Sequence, residues 1–240
     1  MCEQCDAIKA FNFDDNQPKP PIISDDLTAT VLLLLWDDNQ RSMMNIIRRE
    51  WDSKLTFKES ATKQLMDLIA KDAAQAAQLG RQRAGNGGDF GEDDLAFGRA
   101  WAMQDQERLN DLIEHVVNGD FGDFEKGYDS PEVQANIKKL EQRNRLRANG
   151  LIGVANEAFA QSLPEDEKIW WMLSKFEKHC ADCPRIAAAS PYTRKTLRQH
   201  PKDGSTQCIT NCLCWLRTES GKQSFVPLPV GVAKPELILH

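Results

Sequence analysis

The sequence predicts a mainly α-helical protein: a helical bundle or stem, a small cysteine-rich α+β module resembling a zinc knuckle, and extended arms at both ends. Three observations carry this. Apolar residues recur at helical spacing from Leu27 to Phe176. Five of the seven cysteines fall between Cys180 and Cys214. Proline, which lacks the amide donor and restricts its predecessor, punctuates both ends at Pro18, Pro20 and Pro21 and at Pro227, Pro229 and Pro235. The chain divides accordingly into an N-terminal arm (1–25), a helical domain (26–178), a cysteine-rich module (179–225) and a C-terminal strap (226–240).

Within the helical domain, Leu27 to about Trp51 reads as one or two helices. Thr56 and Glu59 have capping-box spacing and open a helix to about Gln78, with Leu65, Met66, Leu68, Ile69, Ala73, Ala76 and Ala77 on its apolar side. Gly80 to Gly91 reads as a glycine-rich loop. Glu92, Asp93 and Asp94 place acid where a helix N-terminus favours it, and that helix runs to Val117 before Asn118-Gly119 ends it. Ser130-Pro131 is a start signal for a long helix through Val133, Ile137 and Leu140, with a break expected near Asn149-Gly150. Ser162 and Glu165 suggest a further cap, followed by a helix carrying Ile169, Trp170, Leu173 and Phe176. Beyond Lys178 the pattern changes to short β-like pieces, Leu213–Leu216 and Ser224–Leu228. Gly88-Asp89-Phe90-Gly91 and Gly119-Asp120-Phe121-Gly122 match, but their flanks do not, so they read as similar turns.

Composition narrows the function classes. The chain has 240 residues, 41% hydrophobic and 28% charged, which fits a soluble globular protein. Leu27 to Trp36 is far shorter than the ~20 apolar residues of a membrane span. The N-terminus has neither the basic flank nor the apolar stretch of a secretory signal. A net charge of −6 argues against nucleic-acid binding over the whole surface. Arg185, Arg194, Lys195, Arg198 and Lys202, with His200, nevertheless form a basic run that could touch DNA phosphates. Phosphate-loop, dinucleotide and nucleophile-elbow signatures are missing, and Asp120, Asp123 and Glu125 do not fit a calcium loop.

The cysteines carry the chemistry. Cys180-x-x-Cys183, then 24 residues, then Cys208-x3-Cys212-x-Cys214 offers two short-spaced groups of soft donors. Zinc takes four such ligands in a tetrahedron, usually as two pairs brought together by folding. Cys180, Cys183, Cys208 and Cys212 are the favoured set and Cys214 the main substitute, so five thiols compete for four places. His179 could compete too, although its cysteine neighbour would hold it off the metal. Disulfides and free buried thiols are the alternatives. A catalytic zinc is not expected, because no His/Glu set accompanies the cysteines. Cys2-x-x-Cys5 reads as a frayed terminus or a clamp to another chain, since no strand can precede it to build a redox site.

His179-Cys180-x-x-Cys183, Ser190-Pro191-Tyr192-Thr193, Leu197, Pro201-x-Asp203-Gly204-Ser205-Thr206-x-Cys208 and Asn211-Cys212-Leu213-Cys214 together resemble the C-terminal motif of tailed-phage minor head proteins. This is the head-morphogenesis family that includes the F protein of phage Mu. Its signature ends in a similar Asn-Cys-x-Cys, often with arginine where Leu213 stands. The resemblance spans residues 130–220, with Arg143–Phe159 and Trp170-Trp171 in the place of the family's helical stem. It implies a non-enzymatic virion protein, assembled in the host cytoplasm, contacting portal or major capsid protein, with the cysteine module as a structural knot. The short chain, and an arm bearing Cys2 and Cys5, depart from the family and point to a specialised head component. A DNA-contacting connector using residues 185–202 is the alternative, and a thiol-redox enzyme a further rival.

Overall fold

A computed structural model describes residues 27–174, 179–208 and 212–225. Both arms, with Cys2 and Cys5, and Phe176 lie outside the described residues. Four long helices carry the fold: α1 (Leu27–Trp51), α2 (Phe57–Arg83), α3 (Glu92–Val117) and α4 (Pro131–Gln161). Strand β1 (Ile169–Met172), the short helix α5 (Asp182–Ala188) and strand β2 (Trp215–Thr218) follow. The expected fold class is therefore observed: mainly helical, with a small two-stranded cysteine-rich region. No helix among the described residues is long and apolar enough to cross a membrane.

The first core forms where helical spacing stacks apolar side chains. Met43, Ile47 and Trp51 of α1 meet Phe57, Ala61, Leu65 and Ile69 of α2, with Leu109, Leu112, Ile113 and Val116 of α3 beside them. Trp51 anchors the α1–α2 corner. Its ring packs on Phe57, Phe124 and Tyr128, and its Nε1–H donates to the Phe124 carbonyl at 3.2 Å. Polar links cross the bundle as well: Asn39 donates to Asp72 at 2.7 Å, and Arg81 grips Asp94 through two nitrogens. Ser130 caps α4 and Pro131 begins it, as expected.

Glycine governs the closest approaches. A Cβ at Gly98 of α3 would stand 2.1 Å from the Ala70 carbonyl oxygen, and one at Gly80 of α2 would stand 2.2 Å from that of Ala155. Only a residue without a side chain fits such gaps. This close approach accompanies a helix α2 that runs through Gly80 to Arg83, where a loop was expected, and α4 likewise stays unbroken through the buried Asn149-Gly150. Packing outweighs the intrinsic cost of helical glycine, roughly 1 kcal/mol. Asn149, itself buried, accepts from Trp36 Nε1 at 3.0 Å.

Four local expectations fail for identifiable reasons. Thr56 precedes α2, but its hydroxyl donates to the Ser53 carbonyl and makes no cap bond. Ser162 is the C-cap of α4 and does not begin another helix. Ile169-Trp170-Trp171-Met172 is a strand, since its inward residues alternate and it pairs antiparallel with β2. The Ser224–Leu228 piece joins no strand over its two described residues; Ser224 instead exchanges hydrogen bonds with Leu216. The two matching turns also differ, because Phe90 is exposed whereas Phe121 is buried.

The cysteine region docks on the C-terminal half of α4. A Cβ at Gly153 would stand 2.3 Å from the Lys202 carbonyl oxygen. One turn later, fully buried Asn156 donates to the Pro201 carbonyl and accepts from the Phe225 amide, each at 3.0 Å. Gly153→Ala should cost about 2–3 kcal/mol by overpacking. Asn156→Ala should cost about 2–4 kcal/mol, because it strands two buried backbone groups. Gly88→Ala, whose nearest neighbour would be 4.0 Å away, should change stability by less than about 0.5 kcal/mol. Urea-denaturation midpoints of the three variants check this ranking.

Candidate metal centre

The pieces that gather the cysteines are short and would be unstable alone. β1 and β2 pair in the register Ile169↔Thr218, Trp170↔Arg217, Trp171↔Leu216 and Met172↔Trp215. Tyr192 bridges the other side of Ile169 through reciprocal backbone bonds of 2.8 and 2.7 Å. Ile169, Trp171 and Leu216 face inward, onto a core that includes Phe159, Leu163, Ile186, Leu197 and the buried cysteines. That core begins upstream of residue 179, so residues 159–172 also support the cysteine region.

Two aspartates fix the loops between the cysteines. Asp182, within the Cys180–Cys183 turn, accepts from the Gln207 amide at 2.9 Å and ties the first cysteine group to the approach of Cys208. This amide bond, with help from Arg185, holds its carboxyl below the usual range. Asp203 accepts from the His200 amide at 2.6 Å and the Ser205 amide at 2.7 Å, so it staples the tight turn at Lys202 and Gly204. Burial raises its pKa, but hydrogen bonds from His200 and Ser205 outweigh that and leave it lowered. Both backbone residues of this turn have positive φ, 70° at Lys202 and 88° at Gly204.

All five cysteines of the cluster are free thiols, Cys180 and Cys208 half-buried and Cys183, Cys212 and Cys214 buried. They form two triads, Cys180/Cys183/Cys208 and Cys183/Cys212/Cys214, which share Cys183. The sulfur separations are 3.4 Å for Cys180–Cys183, 3.3 Å for Cys180–Cys208, 3.5 Å for Cys183–Cys208 and 3.6 Å for Cys183–Cys212. Disulfide sulfurs lie about 2.05 Å apart. A tetrahedral ion with bonds of about 2.3 Å sets its sulfurs about 3.8 Å apart. The spacing therefore fits a thiolate-bound metal, and the cluster can hold one.

Electrostatics agree with this reading. Hydrogen bonding with Cys208, Cys212 and Cys214 pushes the Cys183 thiol up. Cys183 and Cys212 in turn hold Cys214 below the usual thiol range. A divalent ion would displace the thiol protons and replace the sulfur–sulfur hydrogen bonds with direct bonds. Lys202 is 4% exposed. Burial lowers its pKa to about 8, partly offset by the charges of Cys212, Cys208 and Cys214.

Other expected site residues behave differently. His179 Nε2 donates to the Ser174 carbonyl at 3.0 Å and so is not aimed at the sulfurs. The basic run is not an open stripe. Arg185 pairs with Asp182, Arg194 and Lys195 pair with Glu165, and Lys202 is buried. Asp182 and Asp203 were not singled out from the sequence as site residues, although their places beside Cys183 and Gly204 were the available signal.

No protein-family model, curated protein or solved structure matches the chain. The site rests on its own geometry. Because Cys183 belongs to both triads, Cys183→Ser should lower metal affinity at least a hundredfold, more than Cys180→Ser or Cys208→Ser. Competition against a chromophoric chelator measures this order.

Proposed function

We propose that the protein is a non-catalytic assembly subunit of a tailed-phage head, in which a structural zinc ion locks the cysteine-rich module onto the helical scaffold. The observation that carries the reading is the convergence of Cys180, Cys183, Cys208, Cys212 and Cys214 as free thiols in two triads that share Cys183. Their order in the sequence is that of the minor-head motif. Zinc suits four soft donors with no open position, and contributes folding energy where a small loop-rich core is insufficient.

The described ends meet at one point, which also suits a subunit that grips neighbours. Arg83 donates to Thr28 near the start of α1 and to the Gln223 carbonyl, and stacks over Phe225, 4.8 Å from the ring centroid. Thr28 and Phe225, near the two ends of the described chain, thus share Arg83 as a neighbour. The portal and major capsid proteins are the proposed partners, and the virion head the proposed location. The DNA-contacting alternative is less favoured, because acid neighbours pair with Arg185, Arg194 and Lys195.

Two measurements test this proposal. Purified protein should contain one zinc per chain by elemental analysis, and chelation should lower its melting temperature; absence of any thiol-bound metal would contradict the knot. Particles purified from producing cells should carry the chain in the head fraction together with portal and capsid protein. Its absence from intact heads would contradict the assembly role.

A further inference from the structure

Five sulfurs form two triads about Cys183 and a tetrahedral ion takes four ligands, so the strand register bears on which four bind. Trp171 lies opposite Leu216 in the β1–β2 ladder. Cys214 is two residues before Leu216 and therefore on the same inner face, diagonal to Trp171, within reach of an aromatic side chain. Both are at most 2% exposed and belong to one packed core. The indole Nε1–H is buried and has no partner at hydrogen-bonding geometry among the described residues. A buried donor left so costs about 1–3 kcal/mol. The other such atom among the described residues, Asn144 Oδ1, lies in the helical bundle. This donor therefore points to an acceptor in its own core whose hydrogen bond is completed when the site is loaded; the Cys214 sulfur is a group it already acts on.

We propose that Cys214 is a metal-bound thiolate, not the spare thiol, and that Trp171 Nε1–H is the donor that orients and stabilises its sulfur. A metal-bound thiolate is a charged and therefore strong acceptor for a buried N–H, whereas a neutral thiol is a weak one. The inner triad Cys183, Cys212 and Cys214 then supplies three ligands and is closed to solvent. The fourth comes from the half-buried pair Cys180 and Cys208, and the remaining one of that pair is the spare thiol at the rim. Donors in the outer shell of metal sites typically contribute 10- to 100-fold in affinity.

The inference rests on the cluster binding a metal and is separable from it. The full chain is loaded with cadmium-113, and scalar couplings from the ion to cysteine β-protons identify the ligands without any substitution. Couplings to Cys183, Cys212, Cys214 and one of Cys180 or Cys208 are expected, with the Trp171 indole proton moving downfield on loading. Couplings to Cys180, Cys183, Cys208 and Cys212 with none to Cys214 would overturn the assignment while leaving the metal site intact. No bound cadmium signal would overturn the metal reading itself. Trp171→Phe, which keeps the ring and removes the donor, should weaken metal binding 10- to 100-fold and shift the cadmium resonance. An affinity within twofold of the parent and an unmoved resonance would overturn the role of Trp171.

Discussion

The close backbone approach along one stretch of α4 sets the rest of the structure. Between Gly153 and Asn156, α4 packs against the Lys202 carbonyl at Gly153, brings its Ala155 carbonyl against Gly80 of α2, and spends both ends of the Asn156 amide on Pro201 and Phe225. One face of the helix thus builds the bundle and the adjoining face docks the cysteine region. Neither contact tolerates bulk, because protein interiors are close-packed and even a methyl group must displace something. The helical scaffold and the cysteine region are consequently one packed unit joined through α4.

The docked region itself has little else to hold it. Its two strands have four residues each and its helix seven. Its apolar core draws Phe159 and Leu163 from the end of α4 and includes the cysteines as packing residues. Such small, loop-rich units generally need a staple. Five thiols converging within a few ångströms, with aspartates pinning the intervening turns, supply a site for one. Metal coordination would complement docking on α4: Asn156 and Gly153 fix one side of the Lys202–Gly204 turn, and bound sulfurs would fix the chain on either side of it.

Much of this was legible in the sequence, and the misses share a cause. Helical periodicity placed α1 to α4, Ser130-Pro131 marked the start of α4, and cysteine spacing located the cluster. Gly80 and Asn149-Gly150 were read by local propensity as a loop and a break, but tertiary packing reversed both. Ile169-Trp170-Trp171-Met172 satisfies helical and strand periods alike over so short a run, and only its partner at 215–218 decides between them. The basic run at 185–202 looked unopposed because Glu165, which pairs with two of its members, lies some thirty residues upstream. The tie from Asp182 to Gln207 was likewise invisible, since nothing local announces a contact across 25 residues.

On the metal reading proposed above, one ion and the α4 anchors together hold the cysteine region on a scaffold that stands without it. Hydrogen exchange followed by mass spectrometry, on the full chain before and after metal removal, is the decisive test. Stripping the metal should strongly increase exchange in residues 179–225 and in β1. Protection in α1 to α3 and in the first half of α4 should persist. Unchanged protection across 179–225 after complete metal removal would contradict that reading.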